Sequence, residues 1–250
     1  MTVVTSFIFF LFCFVAIGTL SFLKNRGTNA DYLLASSSIK PWLTALSAVA
    51  TTNSGWMFVG LVGFTATAGL SAFWVMAGFI AGDFFSSLFV HKRLREATER
   101  TGALSFAGVL SQWNGTDFKL FRFAAGIITI LFLGAYAAAQ FSAGSKALHV
   151  LLGWPYETGA VIGALVVLTY CFAGGIRASI WTDAAQSFVM IVSIGMMLAL
   201  CALSVGGWGE AVSRLNEIDP ALLTLFPQDT ALAAGLFIAG WTFGGIGVIG

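Results

Sequence analysis

Charge is scarce in this sequence: only 9% of its 250 residues are Asp, Glu, Lys or Arg, against about 25% in a soluble domain. A chain so poor in charge and 58% hydrophobic is built for a bilayer. The net charge of +1 supplies no basic field to hold nucleic acid. The three cysteines, Cys13, Cys171 and Cys201, all lie in apolar runs without CxxC spacing, so they show no metal pattern and cannot all pair. The two histidines, His91 and His149, stand at the ends of apolar runs, which argues against a His-based metal centre. Phosphate-loop and HExxH patterns are missing, as is any nucleophile–base pair. The sequence therefore does not read as an enzyme.

Long apolar runs are what it has. Runs of roughly 20 residues mark membrane helices, and seven occur: about Val3–Leu23, Pro41–Phe64, Leu70–Val90, Leu120–Leu148, Tyr156–Ala173, Trp181–Val205 and Thr230–Gly250. The first is too long for a signal-peptide core. No Lys or Arg precedes it and no small-x-small site closes it, so it reads as a retained helix. Two amphipathic surface pieces are expected near Gly102–Gln112 and Gly209–Asn216. The last run stops at Gly250 with no charged flank, which reads as a chain whose remaining half is missing.

Basic residues favour the cytoplasmic side. With an external N-terminus, the inside loops hold Lys24, Arg26, Lys40, Lys92, Arg93, Arg95, Arg100, Lys119, Arg122 and Arg177. The outside set holds only Lys146 and Arg214, and the acidic loop from Gly206 to Gln228, with the neighbouring Asp229, also falls outside. The expectation is a multi-pass protein of the cell (inner) membrane with its N-terminus outside.

Within the second run stands Ala50-Thr51-Thr52-Asn53-Ser54-Gly55-Trp56. Four consecutive polar residues and a glycine suit a membrane helix that breaks. A broken helix frees backbone carbonyls for a cation or small solute at the bilayer's midplane. The competing structural account is that Thr51 and Ser54 bond back to their own helix while small residues ease packing. The stretch Gly55-Trp56-Met57-Phe58-Val59-Gly60 is echoed by Gly240-Trp241-Thr242-Phe243-Gly244-Gly245, in the second and seventh runs. Paired glycine-interrupted segments point to a transporter built from inverted repeats; the alternative is a chance echo in a glycine- and aromatic-rich chain.

Several segments in order resemble the sodium/solute symporter family, nearest its sodium/proline symporters. They are Ala30-Asp31-Tyr32-Leu33-Leu34, Pro41-Trp42-Leu43-Thr44-Ala45-Leu46-Ser47-Ala48, Ser54-Gly55-Trp56, Arg93-Leu94-Arg95, Tyr156-Glu157-Thr158, Gly174-Gly175, Trp181-Thr182-Asp183 with Gln186, and Gly240-Trp241. The resemblance implies an all-α membrane protein with an inverted-repeat core of five plus five helices and an extra N-terminal helix, of which about seven helices are present. Residues 1–250 would form one transporter domain, with the extra helix at 3–23, the first repeat at 41–205 and the first helix of the second repeat at 230–250. It further implies no cofactor, sodium as coupling ion, and a small organic solute such as proline or another amino acid or carboxylate.

By the same resemblance, the backbone carbonyls of Ala50 and Asn53 would bind sodium. Ser54, Gly55, Trp56, Tyr136 and Trp241 would contact the solute. Where the proline symporters carry an aspartate this chain has Thr52; Ser37 replaces a basic residue and Gly245 a tyrosine. These positions bear on proline as solute and on sodium coupling.

Asp83 lies inside the third run, where a carboxylate costs roughly 2.5–3.5 kcal/mol at the bilayer centre. It could replace the carboxylate absent at Thr52, supply a proton route, or bond to Ser86, Ser87 and nearby backbone. Asp183-Ala184-Ala185-Gln186 has capping-box spacing at the start of the sixth run, and the family places this position on the ion path. Gln140 suits a helix-to-helix bond, Lys146 can snorkel to the interface, and Gly174-Gly175 predicts a sharp turn into a loop before Trp181. Sodium-coupled uptake is the leading function. A solute-sensing membrane domain fused to a signalling kinase is the alternative.

Overall fold

The computed structural model describes residues 2–24, 26–226 and 231–247. Thr230, residues 248–250 of the last expected span, and Gln228 and Asp229 of the acidic loop lie outside the described residues. The described chain is helical, with no strand. In order come α1 (Thr2–Leu20), α2 (Asn29–Leu34), α3 (Pro41–Thr52), α4 (Gly55–Ala68), α5 (Phe73–Ser86) and α6 (Lys92–Thr101). Then follow α7 (Phe106–Ser111), α8 (Lys119–Leu152), α9 (Tyr156–Ser204), α10 (Trp208–Ile218) and α11 (Ala231–Ile246). A π-helical turn, Ser87–His91, joins α5 to α6. The chain groups into two compact units, Met1–Gly55 with Thr98–Met190, and Trp56–Ala97 with Ile191–Gly250.

Four helical stretches among the described residues are long and apolar enough to cross a membrane: Val3–Lys24, Gly55–Thr101, Lys119–Leu152 and Tyr156–Ser204. Two of them join expected runs. The second run divides at Asn53–Ser54, so its later half leads straight into the third. The fifth and sixth runs share α9, whose 49 residues would span about 74 Å if straight, more than twice the hydrocarbon thickness. It is not straight. Gly175, at φ 58° and ψ −145°, leaves the helix. The arms on either side fold back, because a Cβ built on Gly18 would lie 2.7 Å from Tyr170 and 3.0 Å from Thr182, residues twelve apart in sequence. The loop expected before Trp181 is therefore absent. The turn is compressed into one glycine, and helix resumes immediately after it.

The first unit is pinned by a buried ion pair. Asp31 and Arg177 are 2% and 6% exposed, and Arg177 Nη2 donates to Asp31 Oδ1. Arg177 also donates to the Ala35 carbonyl at 3.2 Å and the Ser38 hydroxyl at 3.4 Å. Between those two acceptors Ala35, Ser36 and Ser37 sit at φ 49°, 50° and 51°, a left-handed conformation that costs a non-glycine residue roughly 1–2 kcal/mol. Ser36 donates back to Asp31 at 2.8 Å. Gly175 is needed at its position because a Cβ there would strike the Tyr32 carbonyl.

In the second unit α5 and α11 pack backbone to backbone. A Cβ on Gly78 would lie 3.0 Å from the Ile238 carbonyl, and one on Gly82 would overlap the Thr242 carbonyl. Small residues four apart permit this approach in membrane helices.

Candidate cation and solute site

The helix interruption falls inside the polar stretch that predicts it. Asn53, at φ −78° and ψ 79°, ends α3, and α4 begins at Gly55. Three of the four polar side chains turn back onto α3. Thr51 donates to the Ser47 carbonyl at 2.9 Å, and Thr52 and the Asn53 amide group donate to the Val49 carbonyl at 2.9 and 3.0 Å. Val49 also accepts the Asn53 backbone amide at 3.3 Å, so these side chains add second donors to carbonyls already engaged, the back-bonding that bends a helix. Back-bonding and the break are thus one device: the polar side chains seal the last turn of α3.

The carbonyls beyond that turn are less committed. In an unbroken helix Ala50 would accept the Ser54 amide. Here it accepts the Asn53 amide at 3.1 Å, and the Ser54 amide turns to Thr52 at 3.0 Å. The Gly55 amide, which would complete a helical bond to Thr51, donates instead to Gln140 Oε1 at 2.7 Å. Each carbonyl oxygen carries two lone pairs, so Ala50 and Asn53 retain acceptor capacity at the negative end of α3's dipole, which favours a cation. Oxygen donors of this kind suit a hard cation.

Gln140 thus makes the helix-to-helix bond expected of it, and its partner is the broken helix. Tyr136 lies one helical turn before Gln140 on the same face of α8 and is half exposed. Gly55 allows the close approach, because a Cβ there would strike Ala143 on α8. Gln140→Ala is expected to leave the Gly55 amide without its acceptor, at a cost of about 1–3 kcal/mol. Gln140→Glu keeps an acceptor but places a carboxyl in a membrane helix, so it should restore stability only at acidic pH, where that carboxyl is neutral. Melting curves of the three proteins check this.

The second unit holds the two tryptophans of the echoed motif. Trp56 and Trp241 stack with ring centroids 5.4 Å apart and planes at 30°. Trp241 meets Phe237 edge-on at 6.4 Å, and Phe237 stacks on Phe64 at 6.4 Å. Trp56 lies over Gly60, which has no Cβ to obstruct the indole. With the indoles this close, no solute group fits between them, so contact is limited to the edges and outer faces of the stack.

Of the expected coupling residues, Thr52 and Asp183 belong to the first unit and Asp83 to the second. Thr52 is occupied by Val49. Asp183 is not a helix cap: it lies well into the second arm of α9, which resumes at Ile176 after the kink. Its Oδ2 accepts from the Ser47 hydroxyl of α3 at 2.8 Å and from Ser179 at 3.4 Å. Ser187 adds a bond to the Leu46 carbonyl at 2.8 Å, so a polar seam ties α9 to α3. Ser47 and Ser187 carry no signal of this role beyond being hydroxyls in apolar runs. Asp83 does not bond to Ser86, whose buried Oγ has no partner among the described residues.

The sodium:solute symporter family model matches residues 32–249. The chain is 32% identical over 225 residues to the high-affinity proline transporter PutP of Bacillus subtilis (strain 168), covering 90% of this chain and 47% of that protein. It is 30% identical over 213 residues to a sodium/proline symporter of Staphylococcus aureus (strain JH9), covering 85% of this chain and 41% of the relative. The chain therefore spans a little under half the length of these curated relatives. No solved structure matches it. A match over most of its length, with the interrupted α3–α4 segment inside the matched region, makes the chain a member of the sodium:solute symporter family.

Proposed function

We propose that this chain is part of a sodium-coupled secondary transporter that takes up a small organic solute, such as proline or another amino acid or carboxylate. The observation that carries the reading is the helix interruption at Asn53–Ser54 inside an apolar run. Sodium binds the carbonyls of Ala50 and Asn53. Ser54, Gly55 and Tyr136 are the proposed solute contacts of the first unit, and Trp56 and Trp241 those of the second, each unit taken by itself. Discontinuous membrane helices bind ions and substrates in this way in inverted-repeat transporters; of the two echoed segments only the first is broken here, since α11 runs as one helix from Ala231 to Ile246. The repeat would run over residues 41–205 and begin again at 230, after the extra helix 3–23. The N-terminus would be outside, consistent with ten basic residues assigned to inside loops and two to outside ones. Thr52, Asp83 and Asp183 are candidates for coupling, Asp183 through its bond to Ser47 on the broken helix. The curated relatives named above are a transporter and a symporter, which favours transport over solute sensing.

Because those relatives are named for proline, proline is the first solute to test. The full-length protein is reconstituted in liposomes and proline uptake followed with an inward sodium gradient, then with choline in place of sodium. Uptake driven only by sodium is expected. Equal rates in both salts would rule out sodium drive, and no uptake of proline in either would redirect the search to other amino acids and carboxylates.

A further inference from the structure

We propose that the first unit binds one anionic phospholipid, with an acyl chain in the groove between α1, α3 and α9 and its phosphate held by Lys24 and Lys40. The groove has a volume of about 470 Å³ and is walled almost wholly by carbon, from Ile17 on α1, Trp42 and Leu46 on α3, and Trp181, Ala185 and Phe188 on α9. Its two ends differ in chemistry. The Lys24 ammonium lies 5.0 Å from the centroid of the Trp181 ring, and Lys40 stands two residues before Trp42, at the uncapped start of α3. Ile17, Leu46 and Phe188 lie one to two turns further along their helices. Aromatic rings and two cations therefore mark one end, and aliphatic and phenyl groups mark the other.

That order matches the depth profile of a bilayer. Lys24 closes the turn that ends α1, and Pro41 begins α3, so the cationic end of the groove lies where membrane segments end. Tryptophan favours this interfacial level, and basic pockets between membrane helices bind anionic headgroups. Trp42 is 58% exposed, leaving the indole available to a chain lying beside it. An apolar groove with cations only at its interfacial end complements a molecule with a long hydrocarbon tail and an anionic head. A second protein copy or a soluble peptide would need no such grading.

The test uses the purified full-length protein in detergent, stripped of lipid and offered equimolar dioleoyl phosphatidylglycerol and dioleoyl phosphatidylcholine. Bound lipid is counted by native mass spectrometry. Phosphatidylglycerol should be preferred, and Lys24→Gln and Lys40→Gln should each reduce that preference, by about fivefold per lysine. Ala185→Trp, which fills the groove without altering charge, should remove the bound lipid; it serves as the test if the lysine variants fail to fold. Phosphatidylglycerol with brominated acyl chains should quench tryptophan fluorescence less in Trp181→Phe than in the parent chain. Equal retention of the two lipids, a preference that survives loss of both lysines, lipid retained in Ala185→Trp, or a second protein copy occupying the groove would each overturn the assignment.

Discussion

Gly82→Leu is expected to destabilise the chain by about 3 kcal/mol or more, whereas Gly240→Ala, on the helix packed against it, should stabilise it by up to about 1 kcal/mol. The two glycines share a residue type and a helical setting and differ in what surrounds them. A Cβ on Gly82 would overlap the Thr242 carbonyl and lie 2.8 Å from the Ile246 amide and 2.9 Å from the Gly245 Cα. All three are backbone atoms, so no flexible side chain can yield, and α5 and α11 would have to part. Gly240 has nothing within 4 Å of its would-be Cβ, and a methyl group there only lowers the entropy cost of helix formation. Unfolding in mixed detergent micelles, followed by circular dichroism, measures both. Two changes of the same sign would contradict backbone-to-backbone packing.

Arg177→Ala is the second large effect, and its physics is electrostatic. The guanidinium holds a buried carboxylate, a carbonyl within the left-handed turn and the hydroxyl that ends it. Removing it leaves the Asp31 charge without its ionic partner, the circumstance in which breaking a buried pair is most damaging. The left-handed turn at residues 35–37 loses the donor that straddles it. The expected result is a lowered melting point and faster tryptic cleavage after Arg26, whose amide is bonded to Asp31 in the intact cluster; unchanged cleavage would count against the clasp.

The same cluster predicts a pH dependence. The Arg26 amide first, then the Ser36 hydroxyl and the Arg177 guanidinium, hold the Asp31 carboxyl below its ordinary value of 3.8, with burial acting the other way. A folded pKa below the unfolded one means the stabilisation is complete above pH 3.8 and is lost as pH falls through the folded value. The difference in melting point between the parent chain and Asp31→Asn should therefore be constant from about pH 5 to 8 and shrink below pH 3.8. A difference that shrinks on the alkaline side would refute the assignment.

The helix break was legible where chemistry and chain position coincide. Four adjacent polar residues and a glycine in an apolar run announce a broken helix, because such side chains bond back to the preceding turn, at Ser47 and Val49, and bend the helix. The echoed G-W-x-F-x-G marks two tryptophans that stack. What pattern could not supply was partnership across long separations. Asp31 and Arg177 are 146 residues apart, and Ser47 and Asp183 are 136 apart. The local pattern at Asp183 even misled, since a capping box looks the same whether the helix starts there or has already run for two turns. Gly174-Gly175 signalled a turn correctly but not its economy. One left-handed glycine reverses the chain and leaves no loop to cap.

If sodium binds at the interruption between α3 and α4, the bound ion should hold that segment closed. Hydrogen–deuterium exchange of residues 50–56 in the full-length protein, in sodium chloride and then in choline chloride, tests it most directly. Once sodium exceeds its Kd about tenfold, opening of the segment should be suppressed by about tenfold, with the strongest protection at the Asn53, Ser54 and Gly55 amides. Identical exchange in the two salts, under conditions where sodium drives uptake, would contradict the assignment and move the cation elsewhere.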